Sequence, residues 1–176
     1  MSVIDLKTLY ETDNLEWLES TIKLLKNRQF NALDLDNLIE ELEDLGSEKR
    51  NTVVSLLNQI IRHLLLLEYW KNEAEGNIKH WRSEIYSFRD QLDQRLTTNL
   101  RNYLQEHLHF IYKRALGFVK EKTGNSANFP TECPYTLDQL LDLNWFPEQL
   151  PHSFSWLWKF RGNEQVTLPN LLKQRR

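Results

Sequence analysis

The chain is short of cysteine, glycine, proline and net charge, and each shortage removes a class of protein. A single cysteine among 176 residues excludes a disulfide framework and any cysteine-built structural zinc site, and points to a reducing compartment. Five glycines and five prolines leave few places to break a helix. With 22 Lys+Arg against 25 Asp+Glu the net charge is −3, which excludes polyanion binding through bulk charge. The opening MSVIDLKTLYETD has neither a basic n-region nor an apolar run, so no signal peptide is expected. The most apolar stretch, Val53 to Trp70, is interrupted by Asn58, Gln59, Arg62, His63 and Glu68. A membrane span needs ~20 clean apolar residues, so the expectation is a cytoplasmic protein with no membrane contact.

What the chain has in quantity is leucine: 32 Leu against 13 Ile plus Val. Leucine favours helices and β-branched residues favour strands, so the fold class is all-α. The apolar residues Leu6, Leu9, Tyr10, Trp17, Leu18, Ile22 and Leu25 follow helical spacing through residues 3–29. A break at Asn31-Ala32-Leu33-Asp34 precedes a second helix that Asp34 or Asp36 can cap. That helix runs from Asp36 to about Trp70, tolerates Gly46 at ~1 kcal/mol, and is apolar on nearly every side after Val53. It is expected to lie in the middle of a bundle.

Lys71 to Asn77 is polar and holds Gly76, so it reads as a loop, with Asn77 capping a third helix striped by Ile78, Trp81, Ile85, Phe88, Leu92 and Leu96. A turn at Thr97-Thr98-Asn99 leads to a fourth helix with Leu100, Tyr103, Leu104, Leu108, Ile111, Ala115 and Phe118 inward, ending at Gly124. NSANFPTECPY reads as a surface loop, and Thr136 to Gln139 as the cap of a short fifth helix through Leu143. The expectation is a bundle of four main helices with a long central second helix, a short fifth helix and a C-terminal aromatic arm. Residues 1–148 form the bundle and 149–176 the arm.

No complete catalytic constellation is present. Glu106 and His109 make half of a di-metal helix motif, and no metal or cofactor is expected. His63 falls on the apolar seam of Leu56, Ile60, Leu67 and Trp70, either as a structural histidine or as a proton-transfer group, with Arg62, Arg82 or Arg89 near it. Glu40, Glu41, Glu43, Asp44 and Glu48 read as a solvated acidic face. Cys133, without a CxxC partner, reads as a passive thiol. Trp156, Trp158, Lys159, Phe160 and Arg161 interleave aromatics with charge, as single-strand binders do, but a docking arm fits them better.

The order of several segments resembles the DUF29 family. Tyr10-Glu11-Thr12-Asp13 leads to Trp17-Leu18, and LDLDNLIEELEDLG spans 33–46. Arg62-His63-Leu64-Leu65, His80-Trp81-Arg82 and FPTECPY at 129–135 follow. The resemblance covers about residues 5–148. It implies a bacterial, often cyanobacterial, α-helical domain without an established activity. Its motif positions here are Asp34, Glu40, Glu41, His63, Trp81, Arg82 and Arg89, while His80 and Phe88 stand where the family usually has serine and glutamine.

Two functions are expected to compete. One is a non-catalytic binding or interaction module, using Trp81, Arg89, Trp156 and Trp158, with a protein partner or self-association and no preference for nucleic acid. The other is a hydrolase- or nuclease-like enzyme with His63 as general base, Arg82 as anion clamp and Glu40 or Glu41 as carboxylate. Glu41 and His63 share a site only if the second helix breaks at Gly46. The arm is expected to be packed within the subunit, or to bridge a dimer.

Overall fold

The computed structural model describes residues 6–124 and 126–147, so the arm at 149–176 lies outside the described residues. Six α-helices follow one another, with no strand among the described residues: α1 Leu6–Thr12, α2 Asn14–Lys26, α3 Leu35–Tyr69, α4 Lys71–Asp93, α5 Thr98–Lys122 and α6 Leu137–Leu141. A single 3-10 turn, Phe30–Ala32, precedes α3. The all-α bundle with a long central helix is as the sequence implies.

Helix α3 is the axis. It passes Gly46 without a break, and its second half buries Val53, Leu57, Ile60, Ile61 and Leu64 to Leu67. Helices α4 and α5 pack along it. One buried apolar cluster joins these residues to Trp81 and Ile85 of α4 and to Leu104, Ile111, Tyr112 and Val119 of α5. Removing that much apolar surface from water is the main stabilising term. Asn58 adds direction, its Nδ2 donating to the Ile111 carbonyl at 3.0 Å across the α3–α5 seam.

Several local expectations need correction. Residues 3–29 do not form one helix: the Asp13 side chain accepts from the Glu16 amide and starts α2 afresh. Leu9 and Trp17 are buried there, but Leu18, Ile22 and Leu25 face solvent. Lys71 to Asn77 is not a loop. Trp70 at φ −98°, ψ 64° is the only residue between α3 and α4, which begins at Lys71. Ala74, fully buried, extends the stripe of Ile78, Trp81 and Ile85 backward by one turn and draws the segment into the helix. Asn77 is therefore interior, its Nδ2 donating to the Glu73 carbonyl. Phe118 is not inward; it is largely exposed, with the Arg62 guanidinium 3.9 Å above its ring.

The segment after α5 is more than a surface loop. Gly124 takes the left-handed conformation at φ 57° and ends the helix as expected. The chain then returns over the bundle, burying Phe129, Tyr135, Leu137, Leu140 and Phe146. The Tyr112 hydroxyl donates to the Pro130 carbonyl at 2.6 Å, and the Tyr135 hydroxyl to Glu68 Oε2 at 2.7 Å. Thr136 and Gln139 form a reciprocal capping box for α6, which stops at Leu141 rather than Leu143.

Candidate interaction surface

Arg89 does structural work. It is 1% exposed, and its guanidinium donates through Nε to the Leu140 carbonyl at 2.9 Å, through Nη1 to Trp145 at 2.7 Å and through Nη2 to Gln139 at 3.0 Å. Burial lowers its pKa to about 10, with Asp142 opposing the shift and Arg82 adding to it, so it stays charged at neutral pH. Arg82 lies over the Phe146 ring at 3.9 Å. The two arginines thus hold the returning segment against α4. Trp81 is buried and stacks on Trp70 at 6.3 Å between ring centres.

His63 is partly buried; its Nδ1 donates to the Gln59 carbonyl at 2.8 Å and its ring lies 5.6 Å from that of Phe88. Burial is the main reason its pKa falls below the ordinary value. Neither His63 nor Arg82 lines the cleft between Glu41 and Leu56 on α3 or the cleft that joins Asn51 to Arg114. Because α3 is continuous, Glu41 and His63 stand ~33 Å apart at 1.5 Å per residue. Cys133 donates its thiol to the Tyr135 carbonyl, and burial raises its pKa, which suits a passive group. Glu106 and His109 are exposed, and no group of three or more potential ligands is placed to hold a metal among the described residues. Trp156 and Trp158 lie outside the described residues.

The unusual surface is at the other end. Nine of the twelve exposed large apolar side chains among the described residues fall between Leu15 and Leu45. On α2 they are Leu15, Leu18, Ile22 and Leu25, at steps of three, four and three. On α3 they are Leu35, Ile39, Leu42 and Leu45, at steps of four, three and three. Such spacing keeps each set on one face of its helix, the pattern of a helix that packs against another. Leu15 is 66% exposed, Ile39 54% and Leu42 59%, so these faces are open. Scattered exposed leucines need no explanation, whereas a concentrated set marks a contact surface.

Charge surrounds the α3 face. Between Leu35 and Glu48 stand Asp36, Glu40, Glu41, Glu43, Asp44 and Glu48, with no Lys or Arg. Helix α1 and the start of α2 lie beside this stretch: Lys7 pairs with Asp36 at 3.9 Å, and Asn14 Nδ2 donates to Glu41 Oε1 at 3.3 Å. The buried support beneath is small, with Trp17 edge-on to Tyr10 at 5.0 Å. Its polar atoms Trp17 Nε1, Thr21 Oγ1 and Asp34 Oδ1 find no partner among the described residues. Leu18, Ile22 and Leu25 fall on the helical stripe legible in the sequence, yet they are exposed. Periodic spacing alone does not say whether a partner helix covers such a stripe.

The family model of a domain of unknown function, DUF29, matches residues 9–146. The chain belongs to the DUF29 family. The matched stretch includes Phe146, the residue held under Arg82 and 5.2 Å from the Arg89 guanidinium. No curated protein and no solved structure matches. No helix among the described residues is long and apolar enough to cross a membrane.

Proposed function

We propose that this DUF29 chain is a non-catalytic binding module that takes a basic, amphipathic protein segment on the open faces of α2 and early α3. The observation that carries the reading is the run of exposed apolar side chains at helix-packing spacing, flanked on α3 by six carboxylates and no cation. Apolar contact supplies affinity, and the acidic flank selects a partner of opposite charge and speeds its arrival. Early α3 laid against early α3 of a second copy would set carboxylates against carboxylates. The hydrolase-like alternative around His63 and Arg82 has weaker support, since its carboxylate and imidazole lie far apart on one straight helix.

The test uses the full chain and a fluorescein-labelled 14-residue peptide of leucine and lysine at helical spacing, with a leucine–glutamate version as control. Fluorescence anisotropy is expected to give saturable, salt-sensitive binding of the lysine peptide only. The double variant Ile39→Asp/Leu42→Asp, at exposed positions, is expected to lose at least tenfold in affinity. Equal binding of both peptides, or an unaffected variant, overturns the reading. A wild-type dimer that this variant converts to monomer in sedimentation assigns the face to a second copy and overturns it too.

A further inference from the structure

On the α3–α5 seam, adjoining at Asn51 and Ser55 the acidic cleft of Glu41, Asp44 and Glu48, a cleft of about 220 Å³ is lined by Asn51, Val54, Ser55, Asn58, Gln59 and Arg62 of α3 and by Arg114 of α5. Asn51, Ser55, Asn58 and Arg62 recur at steps of four, three and four, so a polar stripe runs into a seam whose neighbours Val53, Leu57, Ile61 and Leu64 are buried. The lining holds two guanidiniums and no carboxylate. Arg62 Nε is buried and donates to nothing among the described residues, while its guanidinium is fixed over the Phe118 ring. Neither arginine makes an ion pair among the described residues. Burial and then repulsion from Arg114 lower the pKa of Arg62.

Two cations facing a shared cleft with an idle N–H are unfavourable until an anion joins them. We infer that the cleft binds a phosphate group, free or as a phosphate ester, between Arg62 and Arg114. Guanidinium is the side chain best shaped for phosphate oxygens, which it engages by paired, charge-assisted hydrogen bonds. Ser55 and the amides of Asn51 and Gln59 supply further neutral donors. The cleft volume of about 220 Å³ leaves room for a phosphate with part of its hydration shell. Asn58 is already committed to the Ile111 carbonyl and acts as a fixed wall.

The test is a titration of the full chain with inorganic phosphate at constant ionic strength, with acetate as the comparison anion, read by thermal melting and by the arginine side-chain Nε–H resonances. Phosphate is expected to raise Tm saturably and more than acetate, and to shift the Arg62 Nε–H resonance. Arg114→Gln, at an exposed position, is expected to weaken phosphate at least tenfold, whereas Lys120→Gln, an exposed charge elsewhere on α5, leaves it within twofold. Phosphate acting no better than acetate overturns the inference. So does an unmoved Arg62 resonance, or Arg114→Gln retaining wild-type affinity. An organic phosphate monoester binding as well as inorganic phosphate identifies an ester-accepting site; preference for the inorganic ion identifies a site for free phosphate.

Discussion

Replacing Arg89 by methionine keeps much of the side-chain length and removes all three donors. The wild-type guanidinium satisfies the carbonyls of Gln139, Leu140 and Trp145 at 2.7–3.0 Å from a position 1% exposed. A hydrogen bond to a charged group contributes about 1.5–3 kcal/mol, but three from one guanidinium are not additive. Burial that lowers its pKa to about 10 works against them by roughly 3 kcal/mol at 1.36 kcal/mol per unit. The expected net loss is about 3–5 kcal/mol: three carbonyls lose their donor at ~1–3 kcal/mol each, partly offset because no charge is buried any longer. For a chain of this size that lowers Tm by about 6–20 °C. Circular dichroism melts give the magnitude, and hydrogen exchange gives the place: amides of 137–147 are expected to lose protection most. Arg89→Lys, with one compact charge instead of a fork, is expected to fall between wild type and Arg89→Met. A Tm for Arg89→Met within 2 °C of wild type, with 137–147 still protected, refutes the clamp.

Trp17→Ala and Trp81→Ala are each expected to cost ~3–5 kcal/mol by chemical denaturation, since both indoles are buried. Trp17→Phe is expected to cost far less than Trp17→Ala, because the indole Nε1 it removes has no hydrogen-bond partner among the described residues. The folded pKa of His63 lies below its ordinary 6.5, so the unfolded chain takes up the proton first. That group's contribution is therefore steady above about pH 6.5 and declines as pH falls below it toward the lower folded value. His63→Gln is expected to shrink the drop in urea midpoint between pH 7.5 and 5.5; an unchanged drop assigns the acid sensitivity to other groups.

The long helix was legible because leucine density and acidic first turns agree over Leu35–Tyr69, and one glycine is too small a penalty to end it. The α3–α4 reversal was not. A polar run containing Gly76 looks like a loop, yet Ala74 is fully buried, and a small residue at a helix contact is easily missed by a count of large apolar ones. At Asp13 a local capping bond outweighed the continuous stripe. FPTECPY has no periodicity to read, because its burial depends on tertiary partners, among them Tyr112 and Glu68, that lie far away in sequence. The exposed apolar faces of α2 and early α3 were hidden by the same rule that found the core: periodic leucines signal a buried face without saying what buries it. The polar stripe of Asn51, Ser55, Asn58 and Arg62 was readable at helical spacing, but only the fold sets Arg114 opposite it.

Amide chemical-shift mapping on the ¹⁵N-labelled full chain, titrated with the unlabelled leucine–lysine peptide, tests the binding reading most directly. The expected result is a continuous set of shifted resonances over 15–25 and 35–48, with the α5 amides of 104–119 unmoved. Shifts that avoid both faces, or an absence of shifts at saturating peptide, would contradict it.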